Sequence, residues 1–167
     1  YIFKKHIKIS KTKKVLDVGT TPSLSDNHNV FLSRYPYKEK ITCFSNQDCN
    51  ILKKKFNGIK IKKGDIKKIK LKKNSFDIVN CSATLEHVGS FQNQIKSFEE
   101  LKKVSKKYIF LTTPNRNFFL DFHTKLPFLH MLPKKIHRKI LRFFGDNFFS
   151  KELNLNLLTS KDLKNIC

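Results

Sequence analysis

The stretch Val15-Leu-Asp-Val-Gly-Thr-Thr-Pro22 limits what this chain can fold into more than any other. A short apolar run that meets an acid and then a glycine reads as a buried parallel strand entering a ligand-binding turn. Gly19 is the only glycine in the first 57 residues. At the carboxyl end of a first strand, a residue without Cβ lets the backbone bend sharply and approach a ligand closely. A glycine that merely ends a strand is the plainer alternative, and these eight residues alone leave both open.

Downstream, the chain alternates between two periodicities. Residues 1–12 form a basic lead-in, helical or irregular. Val15–Val18 reads as the first strand, Ser23–Asn29 as a polar turn region, and Val30–Tyr35 as a short helix stopped by Pro36. Ile41–Phe44 is a second, β-branched strand, with a helix expected from Asp48 to Phe56 and a stop at Asn57-Gly58. Ile59–Ile61 is a short third strand, Phe76–Cys81 a fourth, Ser90–Ser105 a helix and Tyr108–Thr112 a fifth strand. Strands separated by helix-length segments indicate an α/β fold with a parallel, doubly wound, Rossmann-like sheet and helices on both faces, because parallel neighbours need crossover connections. Ligands of such sheets sit at the carboxyl ends of the strands. Those ends are Asp17-Val-Gly19, Ser45-Asn46-Gln47, Gly64-Asp65, Asn80–Ser82 and Thr112–Arg116, and all are polar or carry glycine.

Length and composition bound the rest. A chain of 167 residues with 39% hydrophobic content suits one domain with a sizeable core. It has no run approaching the ~20 apolar residues of a membrane-spanning helix and no signal-peptide core after Tyr1, so a cytoplasmic location is expected. It begins without Met, as a fragment or trimmed chain would. The net charge of +22 invites a nucleic-acid reading, but only four of the 35 basic residues are arginine (Arg34, Arg116, Arg138 and Arg142), the residue that planar phosphate contacts favour. The lysines are spread as solvated faces, in keeping with compositional bias. Cys43, Cys49, Cys81 and Cys167 show no metal-ligand spacing, and reduced thiols are expected.

Val15-Leu-Asp-Val-Gly19, Gly64-Asp65, Phe76-Asp-Ile-Val-Asn-Cys-Ser-Ala-Thr-Leu-Glu-His-Val88 and Ile109-Phe-Leu-Thr-Thr-Pro-Asn115 together resemble a class I S-adenosylmethionine-dependent methyltransferase. The similarity runs from about residue 14 to 116, and Leu85-Glu-His-Val88 is its most specific part. The resemblance implies S-adenosylmethionine as cofactor, with Asp17 near its amino group and Gly19 allowing close backbone approach. Asp65, with Ile66 beside it, would meet the adenine amino group; Asn80 and Ser82 would line the floor of the cleft, and Leu85 would pack near the adenine. Glu86 and His87 would open the helix after the fourth strand on the acceptor side. His87 is either a helix-start residue with a satisfied hydrogen bond or a general base for an acceptor hydroxyl, since a neutral imidazole near pH 7 suits that task.

The departures from the family pattern are informative too. Where the family has three glycines this chain reads Gly19-Thr20-Thr21-Pro22-Ser23, so Thr20 and Thr21 hydroxyls would replace backbone contacts to the carboxylate end of the cofactor. Ser45 or Asn46 occupies the place of the usual ribose-binding acid, with Asp48 as the nearest carboxylate. The segment also resembles ubiquinone-biosynthesis O-methyltransferases, whose additional acids beside a Glu-His bind magnesium. Ala83 stands where one such acid would be, and a hard cation wants several oxygen ligands, so no metal is expected.

After Arg116 the character changes. Residues 117–150 are dense in aromatics and then basic, which reads as an insertion that lids the acceptor pocket. His123, His130 and His137 recur every seven residues, but Pro127 and Pro133 break the helix that would align them, so a three-His metal site is not expected. A basic amphipathic helix over 134–144 is expected to pack on the core, or to touch a membrane surface or anionic lipid. Residues 151–167 end in a helix with a capping signal at Ser160-Lys-Asp-Leu-Lys, and the family's sixth and seventh strands are not visible, leaving an open sheet edge. The expected function is methyl transfer to an oxygen or nitrogen of a small molecule. The alternatives are an RNA methyltransferase, favoured by the charge, or a catalytically degenerate binding protein, suggested by the eroded glycine loop.

Overall fold

The computed structural model describes residues 3, 7 and 9–167. The lead-in expected over residues 1–12 therefore lies outside the described residues at positions 1, 2, 4–6 and 8. The chain divides into two compact units, one made of residues as far as Ser82 with Glu99–Thr112, the other of Ala83–Phe98 with Thr113–Cys167.

The first unit is built on a five-stranded, wholly parallel sheet in the order β3-β2-β1-β4-β5. Its strands are β1 (Val15–Val18), β2 (Ile41–Ser45), β3 (Lys60–Lys63), β4 (Phe76–Ser82) and β5 (Ser105–Thr112). Every residue of β1 and β2 is buried, Asp17 included, as expected of central strands covered on both faces. In register, Val15 lies beside Ile41 and Ile78, and Asp17 lies beside Cys43 and Asn80. One apolar cluster joins Val15, Ile41 and Ile78 to Leu32 and Tyr35 from α1 (Val30–Arg34) and its end. Leu52, Phe56 and Ile59 also belong to it, with Ile7, Cys43 and Cys49. Each such side chain contributes roughly 1.5–3 kcal/mol on full burial. Strand order reverses at β1, which has β2 on one side and β4 on the other, so its carboxyl end marks the ligand crevice of a doubly wound sheet.

The helix expected over 48–56 is a 3-10 turn, Asn50–Lys54. The Asp48 carboxylate accepts from both the backbone and side-chain nitrogens of Asn50 at 2.9 and 2.7 Å, which tightens the entry, and Gly58 at φ +80° ends the segment. Glu86 and His87 also sit on a 3-10 turn, Leu85–His87, ahead of the helix they were expected to open; that helix, α2, runs Phe91–Val104.

In the second unit, α3 (Lys134–Phe143) begins at Pro133, buries His137 and Leu141, and leaves Ile136, Phe143 and Phe144 exposed. Pro133 therefore confines the helix to the basic segment. The last helix, α4 (Ser160–Ile166), is capped by Thr159, one residue before the expected signal. The Thr159 hydroxyl accepts from the Asp162 N–H, and the Asp162 carboxylate accepts from the Thr159 N–H at 2.9 Å. Among the described residues no helix is long and apolar enough to cross a membrane.

Candidate functional site

The carboxyl ends of β1 and β4 hold a buried polar chain. The Ser82 hydroxyl donates to the Asn80 side-chain Oδ1 at 3.1 Å, and the Asn80 side-chain amide donates to the Asp17 carboxylate at 2.6 Å. Parallel pairing of Asp17 with Asn80 produces this arrangement. Burial pushes the Asp17 carboxyl up to about 7, and the Asn80 hydrogen bond only partly offsets it. A ligand cation beside this carboxylate would hold it ionised, a role that suits the amino group inferred from the sequence.

Directly after β1, Gly19 adopts φ 87°, a left-handed conformation that disfavours any side chain, and its N–H donates to the Phe44 carbonyl at 2.9 Å. The Thr20 hydroxyl faces the Cys49 sulfur at 3.9 Å, so it is turned to the core. Thr21 differs: its hydroxyl is buried without a hydrogen-bond partner among the described residues, as an atom awaiting a ligand would be. Asn29, which the sequence did not single out, holds this loop. Its side-chain Oδ1 accepts from the Thr21 N–H at 3.0 Å, and its side-chain Nδ2 donates to the Thr21 and Ser23 backbone carbonyls at 3.1 and 2.9 Å. The only advance signal was an asparagine placed ahead of α1, where capping residues gather.

At the end of β2, Ser45 is buried, its hydroxyl accepts from the Gln47 N–H at 3.2 Å, and its carbonyl accepts from Gly64 at 2.8 Å; Asn46 is exposed. Gly64 is pressed against the Phe44 ring, where an added Cβ would stand 2.6 Å from a ring carbon. Asp65 is exposed and accepts from the Lys67 N–H at 2.9 Å, with buried Ile66 between them. Thus ten of the predicted residues belong to the first unit: Asp17, Gly19, Thr20, Thr21, Ser45, Asn46, Asp65, Ile66, Asn80 and Ser82.

Leu85, Glu86 and His87 belong to the second unit. Leu85 and Glu86 are fully buried, and the Gln94 amide donates to the Leu85 carbonyl at 3.1 Å. One Glu86 oxygen accepts from the Thr113 hydroxyl at 3.0 Å; the other is buried with no partner among the described residues. Burial raises the Glu86 carboxyl above its ordinary range. His87 Nδ1 lies 2.6 Å from the Asn154 carbonyl, and His87 Nε2 lies 3.2 Å from His123 Nε2. His123 Nδ1 in turn lies 3.2 Å from the carboxylate of Asp121. Asp121 is buried, which raises its carboxyl, but hydrogen bonds from His123 and Thr124 outweigh burial and hold it well below the usual range. His130 and His137 line a basic pocket with Arg116, Lys134 and Arg138.

A family model described as a methyltransferase domain matches residues 16–110. The chain belongs to the methyltransferase-domain family. Three solved structures share its fold. A putative methyltransferase from Bacillus halodurans is 13% identical with a TM-score of 0.63, over 99% of this chain and 64% of that one. The YcgJ protein of Bacillus subtilis is 15% identical with a TM-score of 0.65, again over 99% and 64%. A methyltransferase of Methanosarcina mazei described as S-adenosylmethionine-dependent is 15% identical with a TM-score of 0.65, over 99% of this chain and 81% of its own. The chain thus spans less than two thirds of the length of the two Bacillus proteins. A search of curated proteins finds no match.

Proposed function

We propose that this methyltransferase-family chain binds S-adenosylmethionine and transfers its methyl group to an oxygen or nitrogen of a small-molecule acceptor. The observation that carries this reading is the buried Asp17 carboxyl beside Gly19, hydrogen-bonded to Asn80 at the reversal of the sheet. The unpartnered Thr21 hydroxyl fits the same ligand, because it offers a polar contact where the family's further glycines are missing. When bound, the cofactor supplies an electrophilic sulfonium methyl group. Asp17 would pair with the ammonium, Gly19 and Thr21 would meet the carboxylate end, and Ser45 and Asn46 the ribose. Asp65 and Ile66 would hold the adenine.

His87 is the proposed acceptor of the substrate proton, with Glu86 beside it in sequence. The Asn154 carbonyl can only accept a hydrogen bond, so it fixes the proton of His87 on Nδ1 and leaves Nε2 as a lone pair. Holding the reactants in line supplies most of the rate, and the base contributes a smaller factor.

The basic pocket favours an anionic acceptor, whether a soluble molecule or one carried at a lipid surface. Lys134 and His137 are both held below their ordinary values, first by burial and then, for Lys134, by the Arg116 charge; a bound anion would relieve both. The exposed Ile136, Phe143 and Phe144 on and beside basic α3 support contact with an anionic membrane surface.

Calorimetric titration with S-adenosylmethionine tests the central claim. Saturable heat, lost in Gly19→Val, is the expected result; no heat at millimolar cofactor overturns it and leaves the degenerate binding protein as the reading.

A further inference from the structure

Glu86, His87 and His123 each offer one ligand-competent atom, and these three atoms lie within 4.8 Å of one another. The hydrogen-bond network fixes the tautomers. The partner of His87 Nδ1 is a carbonyl and that of His123 Nδ1 is a carboxylate, and both partners only accept. Each neutral ring therefore carries its hydrogen on Nδ1. Two Nε2 lone pairs are then left facing each other at 3.2 Å.

That contact is repulsive unless a cation joins it. A proton can serve only if one ring is an imidazolium. A metal suits the spacing better: two nitrogens bound at ~2.0–2.1 Å in tetrahedral geometry stand about 3.3 Å apart. A third donor is present as well. Glu86 is fully buried and one of its oxygens has no partner among the described residues, so that oxygen remains available as a donor. Oxygen acceptors behind both histidines, Asn154 and Asp121, reproduce the outer arrangement that orients metal-bound imidazoles.

We propose that Glu86, His87 and His123 form a site for a divalent transition metal of the zinc class, with three protein ligands and one open coordination position. This reverses the sequence expectation of no metal. That expectation weighed oxygen donors for a hard cation at Ala83, whereas the structure brings a second nitrogen donor from 36 residues away. Imidazole nitrogens favour zinc, cobalt or nickel over magnesium. Metal binding itself does not depend on the methyl-transfer reading, but its catalytic consequence does. With metal in place, an acceptor hydroxyl in the open position would be polarised by the cation; without it, His87 takes the proton directly.

The full chain, stripped with a chelator, is titrated calorimetrically with zinc, cobalt and magnesium, and the cobalt form is examined by visible absorption. The expected result is one zinc or cobalt per chain, a tetrahedral cobalt spectrum without thiolate bands, and no heat with magnesium. His87→Ala and His123→Ala should each weaken binding by more than 100-fold, and Asp121→Asn, which repositions His123, by roughly 10–100-fold. Circular dichroism identifies any variant that fails to fold. His87→Ala or His123→Ala folding normally and binding metal as tightly as the parent chain would overturn the site, as would thiolate bands in the cobalt form. Cofactor titration of the same samples separates the two claims, since lost metal binding with intact cofactor binding refutes only this one.

Discussion

Asp17 shows how a single buried acid links stability to ligand binding. Its carboxyl is raised from 3.8 to about 7, so between those values the folded chain keeps a proton that the unfolded chain has released. Stability of the free protein should fall as pH rises through that window, by roughly 4 kcal/mol at most, and level off above it. Asp17→Asn keeps the acceptor for Asn80 but removes the charge. It should melt near the parent temperature at pH 4, melt higher at pH 8, and lose cofactor affinity; a melting difference that ignores pH would refute the assignment. Gly19→Val acts by backbone geometry, since a β-branched residue at φ 87° is strained. Far-ultraviolet circular dichroism should stay native-like while cofactor binding disappears, and wild-type affinity would show that the ligand lies elsewhere.

At the scale of elements, β1, β2 and β4 were legible because largely buried strands leave short, mostly apolar runs, and a fixed glycine followed the first. The segment after β2 was not. Its apolar spacing suited a helix, but the Asp48 side chain bonds locally to Asn50 and tightens it into a 3-10 turn. The cap of α4 was misplaced by one residue, because Thr159 and Ser160 are both good caps and only the reciprocal bond with Asp162 decides between them. Thr159→Ala should destabilise by about 1 kcal/mol in denaturant unfolding, and Ser160→Ala by much less. Asp17, Gly19 and Asn80 could be placed on one rim from strand order alone. His123 could not, because no local periodicity ties an aromatic-rich insertion to a turn 36 residues earlier.

For the whole molecule, the +22 charge acts at long range on any polyanion. Anionic vesicles should bind the chain and neutral ones should not, with affinity falling steeply as salt rises. A Phe143→Ser, Phe144→Ser pair should weaken vesicle binding at least tenfold at fixed salt, since each ring carries about 1.5–3 kcal/mol of burial. Equal binding by the pair would confine the contact to charge alone. The lysine excess has a further effect at β3, one of the two edges of the sheet. Lys60, Lys62 and Lys63 are all exposed there, with Ile61 half-buried between them. An edge strand offers unpaired backbone to a second molecule, and a row of like charges makes that approach repulsive. Replacing all three with glutamine should leave the melting temperature nearly unchanged while light scattering shows faster self-association. A lysine count that says little about ligand or chemistry thus sets how concentrated the protein can become before its own sheets begin to join.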